Sequence, residues 1–429
     1  MSAVTAPAPA AAPTSAVLPP ISLKASIAYG VGALAGLVLL GLVGPNGRTS
    51  GFAVSTRTDA LQIPVFHVPS KISAALLCLV ALALAYLHYR ATVSRRRPSP
   101  WIAPGYGVSM VLAFLIWAVA GKDTVLPLTG LLAGSLFLAL PLVFGALSGL
   151  LCERSGVINI AIEGQLLFGA FLAAVVATLT KNAYFGLVAA PVAGVLVASL
   201  LVLFAVKYHV DQIIVGVVLN VLVIGLTSYL FSTVLKLNAS TWNSPPGLPV
   251  LPIPVLSEIP VIGPVLFRQT ALVYLMYVVV AVLQVMVFRS RWGLRLRSVG
   301  EHPKAADTVG IKVNRTRVRA VLLGGAVAGL GGAFYTVGNS LAFGKEMTNG
   351  GGYIALAAMI LGRWRPKGAL AAALLFGFAN SLQQQLNIIG TAVPSQIMLM
   401  TPYLVTIFAV AGIVGKVRAP ASEGIPYVK

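Results

Sequence analysis

Acidic side chains are scarce in this sequence. Ten Asp and Glu stand among 429 residues, against thirty Lys and Arg, and all charged types together make up only 9%. A soluble domain of this size is not built from so little charge at a mean hydropathy of +0.92, so the chain reads as a polytopic helical membrane protein. Acid is nearly missing from the apolar runs. That argues against a self-sufficient secondary transporter, which needs coupling carboxylates or a sodium site at mid-membrane. Catalytic words are missing too. No GxxxxGK(S/T) loop is present to cradle phosphates, so ATP is not hydrolysed here in the usual way. Four scattered histidines make no metal-spaced cluster, and no serine elbow or acid pair stands out, so an enzyme reading is weak. The two cysteines, Cys78 and Cys152, lie in or at the end of apolar runs and say little about redox compartment. The net charge of +20 sits in loops between those runs, a topological pattern and not nucleic-acid binding.

What is present is a series of twelve apolar runs, at 27–43, 72–89, 103–120, 126–151, 155–180, 184–206, 213–235, 271–288, 320–337, 353–361, 369–386 and 397–415. The expected fold class is therefore all-α, a transmembrane bundle of about twelve spans. Residues 1–24, rich in Ala and Pro without a basic leader, read as a disordered cytoplasmic tail. Residues 25–100 form two spans and a basic linker, 101–417 the core, and 418–429 a second cytoplasmic tail. The linker triplet Arg95–Arg97, Arg154, the block 289–319, the turn Gly362–Gly368 and the pair Lys416 and Arg418 all fall on one face of this arrangement. Both termini are then expected inside. The run at 353–361 is too short to cross alone, and a half-span is the alternative. The loop 236–269 carries seven prolines, too many for regular helix, and is expected to form a compact outer cover. Residues 344–352 look like an outer turn.

Polar residues inside the runs are the candidate substrate route. Glu163 is the most expensive: on a span starting near Ser155 it lies roughly 12 Å in, at 1.5 Å per residue. It either lines a polar route with Asn159 and Gln165 nearby, or clamps the protein to Arg154 or to an opened backbone segment. Asn159, four residues earlier, would share its helical face. Asn220, Asn380 and Gln383 also sit in spans, the last two spaced to face one cavity together. Hydrogen bonding between helices is the other reading of these amides.

The one long charged block runs from Arg289 to Arg319, with nine Lys and Arg against Glu301 and Asp307. Between two spans it belongs on the cytoplasmic side. Inside it, HPKAADTVG spells a short helix: Pro303 suits the first turn, and Gly310 the left-handed residue past the end. A small helix ringed by positive charge is a docking surface, although the charge alone also fits an anchor to anionic lipid headgroups. The turn at Trp364–Lys367 reads either as an interfacial anchor or as a second contact for the same partner.

Three long words carry a resemblance: LCERSGVINIAIEGQLLFGAF (Leu151–Phe171), GLRLRSVGEHPKAADTVGIKV (Gly293–Val313) and GGGYIALAAMILGRWRPKGALAAALLFGFANSLQ (Gly350–Gln383). Together they resemble permease subunits of bacterial ABC importers, in the nucleoside and simple-sugar branch of the ribose/branched-chain amino acid permease family. The resemblance covers about Trp101 to Val417 and implies a ten-span core in the cytoplasmic membrane, with the first two spans an addition. It implies partners: an ATP-binding subunit, possible in tandem-fused form, which holds the ATP and Mg that this chain lacks; a second permease, usually a different chain; and an extracytoplasmic solute-binding lipoprotein. It places Gly300, Glu301, His302, Pro303, Ala305, Ala306, Asp307 and Gly310 in the coupling helix that sits on the ATPase. Relatives often carry Asn, the better helix cap, where this chain has His302. The implied cargo is a purine nucleoside, with ribose-like sugars the alternative.

Overall fold

The computed structural model describes residues 22–43, 47–55, 62–390, 396–397, 400 and 418–428. The expected run at 397–415 and the leading tail lie almost wholly outside them. The chain divides into two compact units, Met1–Thr49 with Pro69–Ala120, and Ser50–Val68 with Gly121–Lys429.

The first unit holds α1 (Lys24–Gly36), which continues as π-helix to Leu42, α2 (Ser70–Val93) and α3 (Ile102–Ala118). The GxxxG pair in α1 meets neighbours closely: a Cβ on Gly36 would lie 2.6 Å from Met110 Cε and 3.4 Å from Cys78 Sγ. Polar ties join the same helices, with Ser26 Oγ 2.7 Å from His88 Nδ1 and the Tyr106 hydroxyl donating to the Tyr29 carbonyl at 3.0 Å. The helix beginning near Trp101 thus packs with the two amino-terminal helices.

The second unit begins with strands that the hydropathy pattern does not reveal. β1 (Thr49–Ala53) lies between β2 (Phe66–Pro69) and β3 (Leu126–Pro127), and pairs with β3 in parallel. Then come α4 (Leu128–Glu153), α5 (Ile162–Thr180), α6 (Ala183–Leu201) and α7 (Gln212–Leu230). The proline-rich stretch contains α8 (Ala239–Trp242) and an antiparallel pair, β4 (Val250–Pro252) with β5 (Arg268–Thr270). It is pinned to the segment after α12 by Leu248 N–H to the Val337 carbonyl at 3.0 Å and by Asn243 to Phe343 in both directions. α9 (Ala271–Arg289), α10 (Arg291–Glu301), α11 (Pro303–Thr308), α12 (Val313–Gly332, continuing as π-helix Phe334–Ser340), α13 (Gly351–Leu361) and α14 (Pro366–Ile389) complete the described order.

Eight of these helices are long and apolar enough to cross a membrane. Burial sorts them. In α4, α12 and α5 the apolar window is 89%, 78% and 72% buried, whereas α6, α7 and α9 bury only 33% and present apolar side chains outward. Lipid is as apolar as a protein core, so the outer helices need no polar face. Small residues bring the inner ones together: a Cβ on Gly194 of α6 would strike the Gly325 carbonyl of α12, which only glycine avoids. Two expected spans change. The run at 155–180 becomes helical only at Ile162, and α13 has 11 residues, about half a bilayer at 1.5 Å each.

Candidate functional site

The site is organised by the break before α5. Gly156 takes φ +87°, and residues 157–161 lie outside regular helix. Side chains of α7 replace the missing partners: Gln212 Oε1 accepts from Ile158 N–H at 2.7 Å, and Asn220 Nδ2 donates to the Ile160 carbonyl at 2.9 Å. Asn220 Oδ1 also accepts from Gly164 N–H at 2.8 Å, which occupies one of the orphan donors of α5. Irregular backbone at membrane depth survives only where protein satisfies it in this way. Asn159 therefore lies in the break and not on a helical face shared with Glu163. It is fully buried and donates to Gln165 Oε1 at 3.1 Å and to Ser148 Oγ at 3.3 Å. Asn159, Gln165 and Asn220 hold helices together in this structure.

Glu163 closes the second half of the arrangement. Its Oε1 accepts from Thr348 Oγ1 at 2.6 Å and from Gly350 N–H at 2.9 Å, and its Oε2 accepts from Gly352 N–H at 2.6 Å. The carboxylate of one helix's first turn is thus the cap of another helix, α13, whose partial positive end favours it. Of the two sequence readings, this geometry is the clamp, made to an opened backbone segment and not to Arg154. Residues 344–350 are more than an outer turn, since they carry Thr348 and Gly350 to that carboxylate.

Beside the cap lies a cavity of about 360 Å³. Pro141, near the middle of α4, forms one wall with Leu138 and Leu142. Phe334 and Tyr335 form another, and Thr348, Asn349 and Gly351 at the start of α13 a third. Asn380 of α14 reaches it, whereas Gln383 is not in its lining. Among the described lining residues none carries a charge at neutral pH. The aromatic pair and Asn349 escape a reading that looks only for costly polar residues inside spans. Their signals are the FY step after the glycine run of α12 and the TNGGG word before α13.

α10 and α11 together form a hook. Ser290 caps α10, its Oγ accepting from Gly293 N–H at 3.1 Å, and one residue, His302, separates α10 from α11. Pro303 opens α11 and Gly310 follows it at φ +84°, while His302 makes no side-chain cap bond. Gly300 packs on the Arg154 carbonyl so closely that no side chain fits. Residues 420–427 of the carboxy-terminal segment fold back onto this hook. Ser422 N–H donates to the Gly300 carbonyl at 2.9 Å, and Ser422 Oγ to the Glu301 carbonyl at 3.0 Å. The Tyr427 hydroxyl bonds the Asp307 carboxylate, and its ring packs with Val299, Ala306 and Val313. The segment's other side holds the spans: Gly424 N–H donates to the Gly156 carbonyl at 3.2 Å, and Arg317 Nη1 to the Ile425 carbonyl at 2.9 Å. Glu423 shares a hydrogen bond with Glu153, which also accepts from Trp364 Nε1 at 2.5 Å. Trp364 is therefore buried in a polar contact and is not an interfacial anchor. A separate cavity of about 580 Å³ opens between α10 and the start of α12, ringed by Arg291, Arg295, Lys312, Arg315 and Arg319.

Paired helix breaks behind an uncharged cavity, within a bundle of membrane-spanning helices, define a multi-pass solute permease. Residues 131–410 match the family described as branched-chain amino acid transport system, permease component, and the chain belongs to that family. Guanosine ABC transporter permease protein NupQ of Bacillus subtilis is 38% identical over 325 residues, covering 72% of this chain and 99% of the relative. Nucleoside ABC transporter permease protein NupC of Lactococcus lactis is 38% identical over 70% of this chain and 96% of its own. Glucose ABC transporter permease protein TsgB13 of Haloferax volcanii is 30% identical over 63% and 77%. No solved structure matches the chain. As a family member it is a transport component of an ABC system, not an enzyme.

Glu163→Gln puts an amide N–H₂ against backbone donors at the head of α13. The expected cost is about 2 kcal/mol, the worth of charge-assisted bonds to a buried acceptor. A lowered midpoint in thermal unfolding of the purified protein checks it. Unchanged stability with lost uptake would instead return Glu163 to the substrate route.

Burial pushes the Glu423 carboxyl above its ordinary value. The docked tail then binds the proton more tightly than the free tail. Docking is strongest below the ordinary carboxylate range and weakens as pH rises through the raised value. Amide protection factors across 420–427 should fall over that window, and Glu423→Gln should flatten the dependence.

Proposed function

We propose that this chain carries a purine nucleoside across the bacterial cytoplasmic membrane by alternating access, driven by a separate ATPase. The observation that carries the reading is the cavity lining. Phe334 and Tyr335 offer aromatic faces to a nucleobase, and Asn349 and Asn380 offer amides that both donate and accept. An uncharged lining suits an uncharged solute, and the names of NupQ and NupC, which specify guanosine and nucleosides, point the same way. Ribose-like sugars are the second reading, favoured by TsgB13, a glucose permease by name.

In this account α11, with Gly300, Glu301, His302, Pro303, Ala305, Ala306, Asp307 and Gly310, is the contact for the ATP-binding subunit, which holds the ATP and Mg. A second, different permease chain completes the pathway, and a solute-binding lipoprotein delivers the cargo from outside. The positive clusters support a cytoplasmic side for α10, α11 and both termini. The basic cavity between α10 and α12 takes anionic lipid headgroups, with exposed Leu294 at its rim. Asn159, Glu163, Gln165 and Asn220 serve the route by holding its walls, and Asn380 by touching the solute. Gln383 has no assigned contact.

Uptake of labelled guanosine by a deletion strain carrying this chain and its partners tests the cargo. Excess unlabelled adenosine should compete and excess ribose should not; the reverse pattern would make the cargo a sugar.

Ala306 N–H donates to the His302 carbonyl at 2.9 Å, and the residue is buried against Val299, Val313 and Tyr427. Ala306→Pro removes that donor and disrupts α11. The variant should insert and assemble yet take up solute at least tenfold more slowly. Normal uptake would remove α11 from the coupling path.

A further inference from the structure

The carboxy-terminal segment has contacts on two sides that nothing in its composition foretells. Its residues are more than 100 positions from those they bond in the hook and in α12, so chain connectivity does not bring them there. On one side the partners are α11 and the residues before it, through Ser422 and Tyr427. On the other they are the end of α4, Arg317 in the second turn of α12 and, at Gly156, the start of the break. From Gly156 the broken stretch leads within seven residues to Glu163, and the Glu163 carboxylate holds Thr348 and Gly350 beside the cavity. If α11 moves, the segment must either carry Gly156 with it or release its contacts on one of the two sides.

Buried groups within this contact are left incompletely paired. Arg317 is 2% exposed, and its Nε and Nη2 have no hydrogen-bond partner among the described residues. A contact meant only to stabilise would not leave buried charge-bearing atoms unsatisfied, since each costs more unmade than a made bond returns. A contact that shifts between two arrangements does so naturally, because the partners used in one state are idle in the other.

We propose that residues 420–427 are a coupling strap, which carries displacement of α11 to the break at Gly156 and so to the cavity wall. The strap rests on the reading of α11 as the ATPase contact. Its residues are positioning residues, acting on the solute only through the backbone they hold. Tyr427 is the fastening on the α11 side and the Gly424–Ile425 backbone the fastening on the span side.

The test uses the whole importer, with the ATPase and second permease that co-purify with the chain, in proteoliposomes. Guanosine uptake and ATP hydrolysis are measured together. Removing residues 419–429 should leave the complex assembled and hydrolysing ATP, with uptake per ATP reduced at least tenfold. Tyr427→Ala should do the same in lesser degree, and Tyr427→Phe, which keeps the packing and loses the bond to Asp307, should fall between it and the parent. A truncated complex with the parent ratio of uptake to ATP overturns the strap. So does one that fails to assemble while Tyr427→Ala transports at the parent ratio, since the segment is then needed only for folding. If the parent complex does not move guanosine at all, the proposed cargo has failed, and the same ratio measured with the solute it does move still decides the strap.

Discussion

A peptide bond that leaves helical geometry inside a dry bundle must find other partners for its N–H and C=O, at a cost of several kcal/mol for each left bare. That constraint governs this protein. The break before α5 exists because Gln212 and Asn220 stand on α7 to receive it, and α13 can begin deep in the second unit because Glu163 stands at its head. One carboxylate accepts three donors from a helix start and a threonine, which uses its charge where the helix end most favours it. The cavity follows from this pairing. Thr348, Asn349 and Gly351 line it only because the carboxylate holds the start of α13 at that level.

The elements legible in the sequence are those whose signals are local. Pro303 and Gly310 delimit α11 within nine residues, and the structure begins and ends the helix there. The long apolar helices are legible for the same reason, as hydropathy is a local sum. The break at 157–161 is not. Val157, Ile158, Ile160 and Ala161 read as a continuing span, and the groups that make the break tolerable lie 54 and 60 positions away. Glu163 announces its expense without its purpose, because its three donors arrive from about 185 residues later. The short strands of residues 49–69 and the bond from Trp364 to Glu153 likewise depend on distant partners.

Packing in the second unit serves the same end. α4 is surrounded by other helices and carries the proline that shapes one cavity wall, while α12 brings its glycines against α6 and then turns π-helical at Phe334. A π-helical stretch rotates the following side chains relative to an α-helical continuation. Phe334 and Tyr335 stand at that change of winding, and both face the cavity. The outer helices, α6, α7 and α9, contribute apolar surface and take the lipid contact that the inner helices are thereby spared. The division explains how a chain with 9% charge keeps an uncharged but polar cavity within its second unit.

That cavity also limits where energy can enter. Among the described residues its lining has no ionisable carboxylate or amine, and the one acid close to it already accepts three hydrogen bonds. Movement of the walls must then be imposed through the backbone that carries them. The break is the compliant part of that backbone, because side-chain bonds can be exchanged one at a time where a helical ladder would have to shear. Its near end, Gly156, is the point at which the hook, the carboxy-terminal segment and the spans meet. On the proposed reading, in which α11 meets an external motor and the cavity holds the solute, a soft joint between them would let small displacements of α11 reach Thr348 and Asn349 without unfolding any span.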